Sequence, residues 1–356
     1  MNPGGSRSPQ RGQTIVPDVG LTGQSLFDLK HAPQPNGLAA PDRRGYAPTI
    51  VTITQESTRA TVIQVLGLTA FVRASGEVRE ATLAGRLKTE VDRARSNQLA
   101  VGDIVTLEEG APPRIVGVEP RRTRLERAAT GAQGRDLTQV IAANADQAMI
   151  VSSIADPPFR PGLIDRWTLL ALRGDMEPVL CLNKMDLGTP EEGRRLVEEA
   201  CIPIDTVYAS AETENGLEEL RARLSGRSTV LVGHSGVGKS SLLRRLLPGA
   251  DAATGELSER TRKGRHTTTG ARLYELPEGG DLIDTPGVRS VVLGRTTAEE
   301  VAGVFGEIAH APPCRFQPCT HRTEPGCTVL DGLSRGAIPR AVYQRYRKLL
   351  EEVALP

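Results

Sequence analysis

The spacing of apolar and polar positions divides the chain into four stretches. Residues 1–45 are rich in Gly, Pro, Ser and Arg and have no apolar period, which predicts a disordered extension. From residue 46 to 120 the pattern changes to short β-type runs separated by turn residues. These runs cover 49–54, 60–65, 69–73, 77–83 and 103–107. They predict a small barrel: an OB-fold domain is the leading form, and an SH3-like barrel is the alternative.

Beyond residue 120, buried-type strands alternate with amphipathic helices. Strands are predicted at 148–154, 178–182, 204–208 and 229–232, and helices at 162–173, 190–200, 216–224 and from Lys239 onward. Such alternation predicts a mostly parallel sheet covered by helices on both faces, here an α/β domain over 121–295. Residues 296–356 predict a small C-terminal helical domain, in which a cysteine-rich loop precedes a charged helix at about 339–353.

A basic cluster stands where the barrel meets the α/β domain. Its members are Arg121, Arg122, Arg124 and Arg127. The pattern is typical of a linker, which is either solvated or bound to nucleic acid. The chain as a whole carries a formal charge of only +1, so affinity for nucleic acid would have to come from such local clusters.

Composition narrows the class of protein. Apolar residues make up 38% and charged residues 24%, as in soluble globular chains. No apolar run approaches the roughly 20 residues of a membrane span, and the first residues lack the apolar core of a signal peptide. We expect a cytoplasmic monomer with no membrane partner.

The sequence GHSGVGKS at 233–240 matches the phosphate-binding P-loop, and it lies between a predicted strand and a predicted helix. We expect Lys239 to reach the β- and γ-phosphates of a nucleotide and the Ser240 hydroxyl to bind Mg²⁺. The predicted phosphate-binding residues are Gly233, His234, Ser235, Gly236, Val237, Gly238, Lys239, Ser240 and Ser241.

A second phosphate motif, DTPG, ends at Gly287. Asp284 is expected to hold Mg²⁺ through water, and the Gly287 amide to sense the γ-phosphate. The threonine-rich stretch between the two motifs is typical of a switch loop, whose Thr268 would complete the Mg²⁺ shell; Thr267 is the alternative.

The sequence NKMD at 183–186 follows an apolar strand, where open α/β sheets bind ligands. The carboxylate of Asp186 in this motif can accept two hydrogen bonds from guanine. The predicted base-side residues are Asn183, Lys184, Met185, Asp186, Ser210 and Ala211. They precede the P-loop, whereas GTPases ordinarily place them after it. The order predicts a circularly permuted GTPase domain.

Three cysteines and a histidine lie within fourteen residues near the C-terminus: Cys314, Cys319, His321 and Cys327. Four closed N/S ligands predict one structural, tetrahedral Zn²⁺ per chain. His310 is a less suitable competing ligand because it sits in a helical pattern.

This combination of motifs resembles the ribosome small-subunit-dependent GTPase A family of bacterial circularly permuted GTPases, from about residue 49 to the C-terminal helix. Further matches are 143–147, 164–166, 264–269 and 324–327. The resemblance implies an N-terminal OB-fold, structural zinc, and GTP hydrolysis to GDP stimulated by the 30S subunit during its late maturation.

The partner implied by that resemblance is the 30S subunit with its rRNA. Aromatic residues make up only 3% of the chain, which favours phosphate contacts over base stacking. The residues expected to make them are Arg79, Arg86, Lys88, Arg121, Arg122 and Arg124.

The position where many GTPases have a water-orienting glutamine is Val288 here, which predicts slow hydrolysis by the isolated chain. His266 in the switch loop is the catalytic candidate, and a solvated loop histidine is the alternative. Two other functions compete with the GTPase assembly factor. One is a P-loop kinase acting on a small acceptor, and the other a nucleic-acid-binding module whose affinity GTP gates.

Overall fold

The computed structural model describes residues 57–67, 69–85, 87, 99–130, 136–249, 270–285 and 291–354. The predicted extension at 1–45 and the predicted strand at 49–54 lie outside them. The strands are β1 Ser57–Leu66, β2 Thr69–Ala74, β3 Glu77–Leu83, β4 Ile104–Glu108, β5 Arg114–Val118, β6 Arg124–Thr130, β7 Asp136–Ala143, β8 Gln147–Ser153, β9 Glu177–Asn183, β10 Thr206–Tyr208, β11 Arg227–Val232, β12 Arg272–Glu275 and β13 Gly280–Asp284. The helices are α1 Pro161–Arg173, α2 Pro190–Glu199, α3 Leu217–Leu224, α4 Lys239–Leu246, α5 Ala298–Ala302, α6 Gly306–Ala309, α7 Thr328–Ser334 and α8 Arg340–Ala354.

The first five strands close into a barrel. They pair in the order β1-β2-β3-β5-β4, and β4 returns to pair with β1. Alternate side chains point inward and form a separate apolar core that includes Val62, Val105 and Ile115, all with no exposed surface. This closed five-stranded barrel is OB-like and confirms that prediction. β5 was not predicted, because its five residues are interrupted by Gly117 and follow a proline pair.

The α/β domain is built on the strand order β10-β9-β8-β11-β13-β12, in which only β12 runs antiparallel to its neighbour β13. Neighbouring residues of one strand enter different cores: Met149 packs with α3 and α4, whereas Ile150 packs with α1. Both faces are therefore apolar, as expected for a parallel sheet covered on both sides. The predicted doubly covered sheet is confirmed.

The barrel and the α/β sheet are continuous. β1 of the barrel pairs antiparallel with β12 at Gln64 and Arg272, so eleven strands form one hydrogen-bonded sheet. Arg73 on β2 adds ion pairs across the junction, 2.9 Å to Asp281 and 3.0 Å to Glu275. The barrel therefore abuts the strand pair that ends at Asp284.

The predicted basic linker is wrong for most of its length, because residues 124–130 form β6, which pairs with β7 as a hairpin. Leu125 on this strand is fully buried, whereas its neighbour Arg124 is exposed. Arg121 is also structural: its Nε lies 2.7 Å from the Oδ1 atom of Asp103, a fully buried carboxylate. The arginine-rich composition concealed the alternation that builds the strand.

The C-terminal helices pack against α1 through polar as well as apolar contacts. Arg345 on α8 donates to the Asp165 carboxylate of α1 at 2.9 Å and to the Ala200 carbonyl. Both side chains of this ion pair are largely buried, 13% and 3% exposed. Burial raises the pKa of Asp165 to about 6, and the charge of Arg345 opposes that shift. Beside them Arg166 pairs with Glu352.

Among the helices of the described ranges, none has the length and apolar character to span a bilayer.

The Asp165–Arg345 pair predicts a pH-dependent stability. In Arg345→Ala the buried carboxylate loses its charge partner, which should lower the free energy of unfolding by about 3 kcal/mol or more at pH 8. Because the folded-state pKa of Asp165 is raised, protonation relieves part of that penalty at acid pH. The loss should therefore shrink at pH 5.5 and grow as the pH rises through 6.

Urea denaturation of both proteins at the two pH values measures this effect. Arg335→Ala, which breaks an exposed pair with Asp331, is the matched control and should cost about 1 kcal/mol or less. In an Asp165→Asn background, Arg345→Ala should lower the free energy of unfolding by much less. If Arg345→Ala lowers the free energy of unfolding equally with Asp165 and with Asn at position 165, Arg345 does not act through the carboxylate.

Candidate nucleotide-binding site and metal centre

The predicted nucleotide motifs converge at one edge of the sheet. β8, β9, β11 and β13 are parallel, so the loops that follow them leave from the same side. The P-loop follows β11, and Asp284 at the end of β13 stands opposite Leu231 in that register. The Thr285 hydroxyl donates to the Leu231 carbonyl at 2.7 Å and fixes the beginning of the DTPG motif.

Two P-loop glycines occupy positions that no other residue could fill. Gly238 has φ +96°, and a Cβ there would lie 2.3 Å from the Asn183 Nδ2 atom. Gly233 has φ +139°, and its Cβ would lie 2.3 Å from the Val151 carbonyl oxygen. The loop can therefore wrap closely against its neighbours and turn its amides outward, as a phosphate cradle requires.

Lys239 points its ammonium group back along the P-loop. Nζ donates to the carbonyls of Gly233 at 2.8 Å and His234 at 2.9 Å. Burial lowers the pKa of Lys239 and the charge of Asp284 opposes that shift, while burial raises the pKa of Asp284 and Lys239 opposes it in turn. Each charge stabilises the other in a site that could receive a polyphosphate and a divalent cation.

Asn183 joins three loops. Its Nδ2 atom donates to the Val237 carbonyl of the P-loop at 2.9 Å, and its Oδ1 atom accepts from the Ala211 amide at 3.2 Å. The side chain is only 1% exposed, so both hydrogen bonds lie away from water. The NKMD segment, the P-loop and the loop after β10 are thereby held in fixed relation.

Asp186 is exposed at the rim and is oriented by Ser210. The Ser210 hydroxyl donates to Asp186 Oδ1 and accepts from the amides of Glu212 at 3.2 Å and Thr213 at 3.1 Å. The Ser210 oxygen accepts from two backbone amides, so its own proton is left to be donated to the Asp186 carboxylate. Lys184, at φ +61°, donates from Nζ to the Asp156 carbonyl at 2.6 Å.

Not every predicted residue takes part in this arrangement. Met185 directs its side chain at α2, where a Cβ on Gly193 would lie 2.7 Å from its Cε atom. His266, Thr268 and Gly287 lie outside the described residues. The predicted site residues that the structure brings to this edge are Asn183, Lys184, Asp186, Ser210, Ala211, Gly233, His234, Ser235, Gly236, Val237, Gly238, Lys239, Ser240, Ser241 and Asp284.

Sequence reasoning missed several groups that position these residues. The Thr285 hydroxyl and the amides of Glu212 and Thr213 act through hydrogen bonds described above. Thr285 lies inside a recognised motif and could have been found there. The amides could not, because a backbone donor leaves no mark in the residue type.

The predicted zinc ligands form one cluster. The donor atoms of Cys314, Cys319, His321 and Cys327 all lie within 4.8 Å of one another. His321 Nδ1 is 3.2 Å from Cys327 Sγ and 3.6 Å from Cys314 Sγ. Three thiols and one imidazole at such distances suit a four-coordinate metal ion. His310 is absent from the cluster and contacts the Gly306 carbonyl.

Groups around the cluster fix its loop. The Tyr343 hydroxyl donates to the His321 carbonyl at 2.6 Å and ties the loop to α8. The Glu324 carboxylate accepts from the amides of Thr320, Arg322 and Thr323. A hydrogen bond from the Thr320 hydroxyl, followed by bonds from the amides of Glu324 itself, Arg322 and Thr320, lowers the pKa of Glu324 well below its usual range. The loop that carries the cluster is therefore held by the side chains of Tyr343 and Glu324.

Comparison with known proteins identifies the family. The sequence model of the RsgA GTPase family matches residues 118–294. A small ribosomal subunit biogenesis GTPase RsgA from Gemmatimonas aurantiaca is 38% identical over 304 residues, covering 83% of this chain and 98% of the relative. The protein of the same name from Chlorobaculum tepidum is 36% identical over 316 residues, covering 84% and 99%.

Solved structures agree. YjeQ from Thermotoga maritima superposes with a TM-score of 0.66 at 28% identity, covering 84% of this chain and 99% of YjeQ. YloQ, described as a circularly permuted GTPase, gives a TM-score of 0.60 at 23% identity, covering 84% and 96%, and supports the fold. The predicted order of motifs and the predicted family are both confirmed. The chain belongs to the RsgA GTPase family.

Proposed function

We propose that this chain hydrolyses GTP and acts as a late maturation factor of the 30S ribosomal subunit, whose rRNA it binds. The observation that carries the proposal is the buried Asn183 amide, which couples a guanine-type base loop to a P-loop. The relatives named above supply the biological setting, since they are small ribosomal subunit biogenesis GTPases.

Guanine selection is assigned to Asp186. Its carboxylate would accept hydrogen bonds from the guanine N1–H and exocyclic amine, a donor pair that adenine lacks. The Ser210 hydroxyl holds one carboxylate oxygen, so the group is oriented before the base arrives. Asn183 and the Lys184 stem flank the same position.

Phosphate chemistry is assigned to the opposite side of Asn183. Lys239 would exchange its carbonyl contacts for the β- and γ-phosphates, and its charge would offset charge that develops on the γ-phosphoryl group. The Ser240 hydroxyl, Thr268 and Asp284 would hold Mg²⁺, which neutralises phosphate charge when bound. The Gly287 amide would contact the γ-phosphate.

The attacking water needs a further partner, because Val288 cannot orient it. We assign this role to His266, whose imidazole can accept a proton or direct the nucleophile.

The exposed arginines suit rRNA phosphates to different degrees. Arg79 pairs with Glu109, Arg122 with Asp146 and Arg124 with Glu126, all at 2.7 Å. Ion pairs at such exposure contribute little and can be exchanged for phosphate contacts. The ion pair of Arg121 is less easily exchanged for a phosphate contact, because its partner Asp103 is fully buried. Arg86 and Lys88 lie outside the described residues.

Hydrolysis measured with purified 30S subunits, with 50S subunits and with neither tests the proposed function. The isolated chain should be slow, and only the 30S subunit should stimulate it strongly. Turnover that depends instead on a small acceptor would favour a kinase. Binding to the 30S subunit without any hydrolysis in a single-turnover assay would favour a module that GTP only gates.

In the same assay His266→Ala should keep near-normal GTP affinity and lose about a hundredfold of stimulated turnover, the usual scale for one general-base group. His310→Ala provides a matched control, since His310 lies outside the nucleotide motifs and its Nδ1 atom contacts the Gly306 carbonyl. Unchanged stimulated turnover in His266→Ala would assign the water to a group on the ribosome.

Asp186→Asn tests the base reader. The substitution replaces one acceptor oxygen by a donor, which should weaken GTP binding and favour xanthosine triphosphate. Competition between the two nucleotides measures the change. If the variant prefers GTP by the wild-type margin, residues 183–186 do not read the base.

We propose that the metal of the C-terminal cluster is one structural Zn²⁺ per chain, and metal analysis should find that stoichiometry. The Cys319→Ala, Cys327→Ala double variant should lose the metal and weaken 30S binding more than GTP binding, because the cluster lies outside the nucleotide site. Cys181→Ala is the control, since that buried thiol lies in the α/β core. Full zinc content in the double variant would contradict the ligand assignment.

A further inference from the structure

The loop that holds the metal ligands exposes an aromatic ring. Phe316 lies between Cys314 and Cys319 and is 50% exposed. Four large apolar side chains are exposed in the part of the chain that the structure describes, and Phe316 is the one aromatic among them. Phe71 and Phe305 are buried in cores. Placing a bare phenyl ring in water is unfavourable, so its position needs an explanation.

The ring is held in place rather than left free. The Arg315 guanidinium carbon lies 5.3 Å from the Phe316 ring centroid, within cation–π range. The Arg315 amide donates to the Gly326 carbonyl at 3.1 Å. Gly326 has φ +74°, and a Cβ there would lie 2.9 Å from the Arg315 Cβ atom, so two parts of the loop pack closely. The Arg315 guanidinium therefore lies over the Phe316 ring, and the loop that carries the pair is closely packed.

The loop that carries this pair has two exposed arginines. Arg315 and Arg322 are exposed, and the carboxylate nearest to them in sequence, Glu324, is directed at amides of its own loop. Arg322 approaches Glu351 only at 3.8 Å. A polyanion with a planar apolar group would complement such a surface, and an unpaired nucleotide has both properties.

We infer that the Arg315–Phe316 pair is a stacking platform for one unpaired base of rRNA, with Arg315 also able to contact the adjoining phosphate. The inference rests on the proposed function, because the rRNA is that of the 30S subunit. It adds one base contact to a surface otherwise expected to touch phosphates. A single platform is compatible with the low aromatic content of the chain.

Binding of the full-length protein to purified 30S subunits, in the presence of a non-hydrolysable GTP analogue, tests the platform. Phe316→Ala should weaken binding by about tenfold or more, the usual scale for one stacked base. Phe316→Trp should keep wild-type affinity, since the indole also stacks. Phe316→Leu should lose as much as Phe316→Ala, because it is apolar but has no π face.

Salt titration separates the two residues. Arg315→Ala should lower the slope of log affinity against log salt by about one unit, whereas Phe316→Ala should leave the slope unchanged. In Phe316→Trp the new indole should be quenched on binding, and the chain's other tryptophan, Trp167, is buried and gives a constant background. Unchanged zinc content and GTP affinity establish that each variant is folded.

The outcomes that would overturn the inference are distinct. Equal affinity of Phe316→Ala and wild type would show that the ring contacts nothing. Retained binding by Phe316→Leu with loss by Phe316→Trp would indicate an apolar pocket on a ribosomal protein. Failure of the wild-type chain to bind 30S subunits would instead remove the proposed function on which the platform depends.

Discussion

The side-chain amide of Asn183 is the interaction on which the nucleotide site depends. It bonds to the P-loop at Val237 and to the loop after β10 at Ala211, while its own backbone begins the NKMD segment. These loops follow three different strands. A buried amide that leaves either bond unmade would retain an unpaired polar group, so the three loops are stable only together.

Circular permutation changes what the site is connected to rather than its arrangement. The segment 250–269 leads into β12, whose edge carries the barrel at Gln64. The segment 286–290 leads to Val292, whose carbonyl accepts from Ala128 of the β6–β7 hairpin, and then to the C-terminal helices. Each of these segments is therefore followed directly in the chain by a connection to a different appended part. α1 adds a third connection, since it packs beside the sheet and carries the ion pair to α8.

Sequence patterns predicted the motifs that are defined by particular residue types at fixed spacing. The P-loop, the NKMD motif and the cysteine cluster each depend on residue types at fixed spacing, and their glycines and polar side chains lie where those spacings predict. β5 and β12 were missed because four or five residues give too short an alternation to detect. β6 was missed because the arginines near Leu125 in sequence concealed the burial of that leucine. The Asp165–Arg345 pair was beyond prediction, because partners 180 residues apart leave no local signal.

The central position of β11 also determines the order in which the sheet is completed during synthesis. β8 and β9 can pair as soon as they are made. The other neighbour of β8 is β11, which is synthesised much later: Gln147 on β8 and its partner Thr229 on β11 are 82 positions apart. Until β11 has been synthesised, one edge of the strongly apolar strand β8 has no partner on the nascent chain. Unpaired edges of this kind recruit other strands, so this half-sheet is the form of the protein most exposed to misassembly and to chaperone binding.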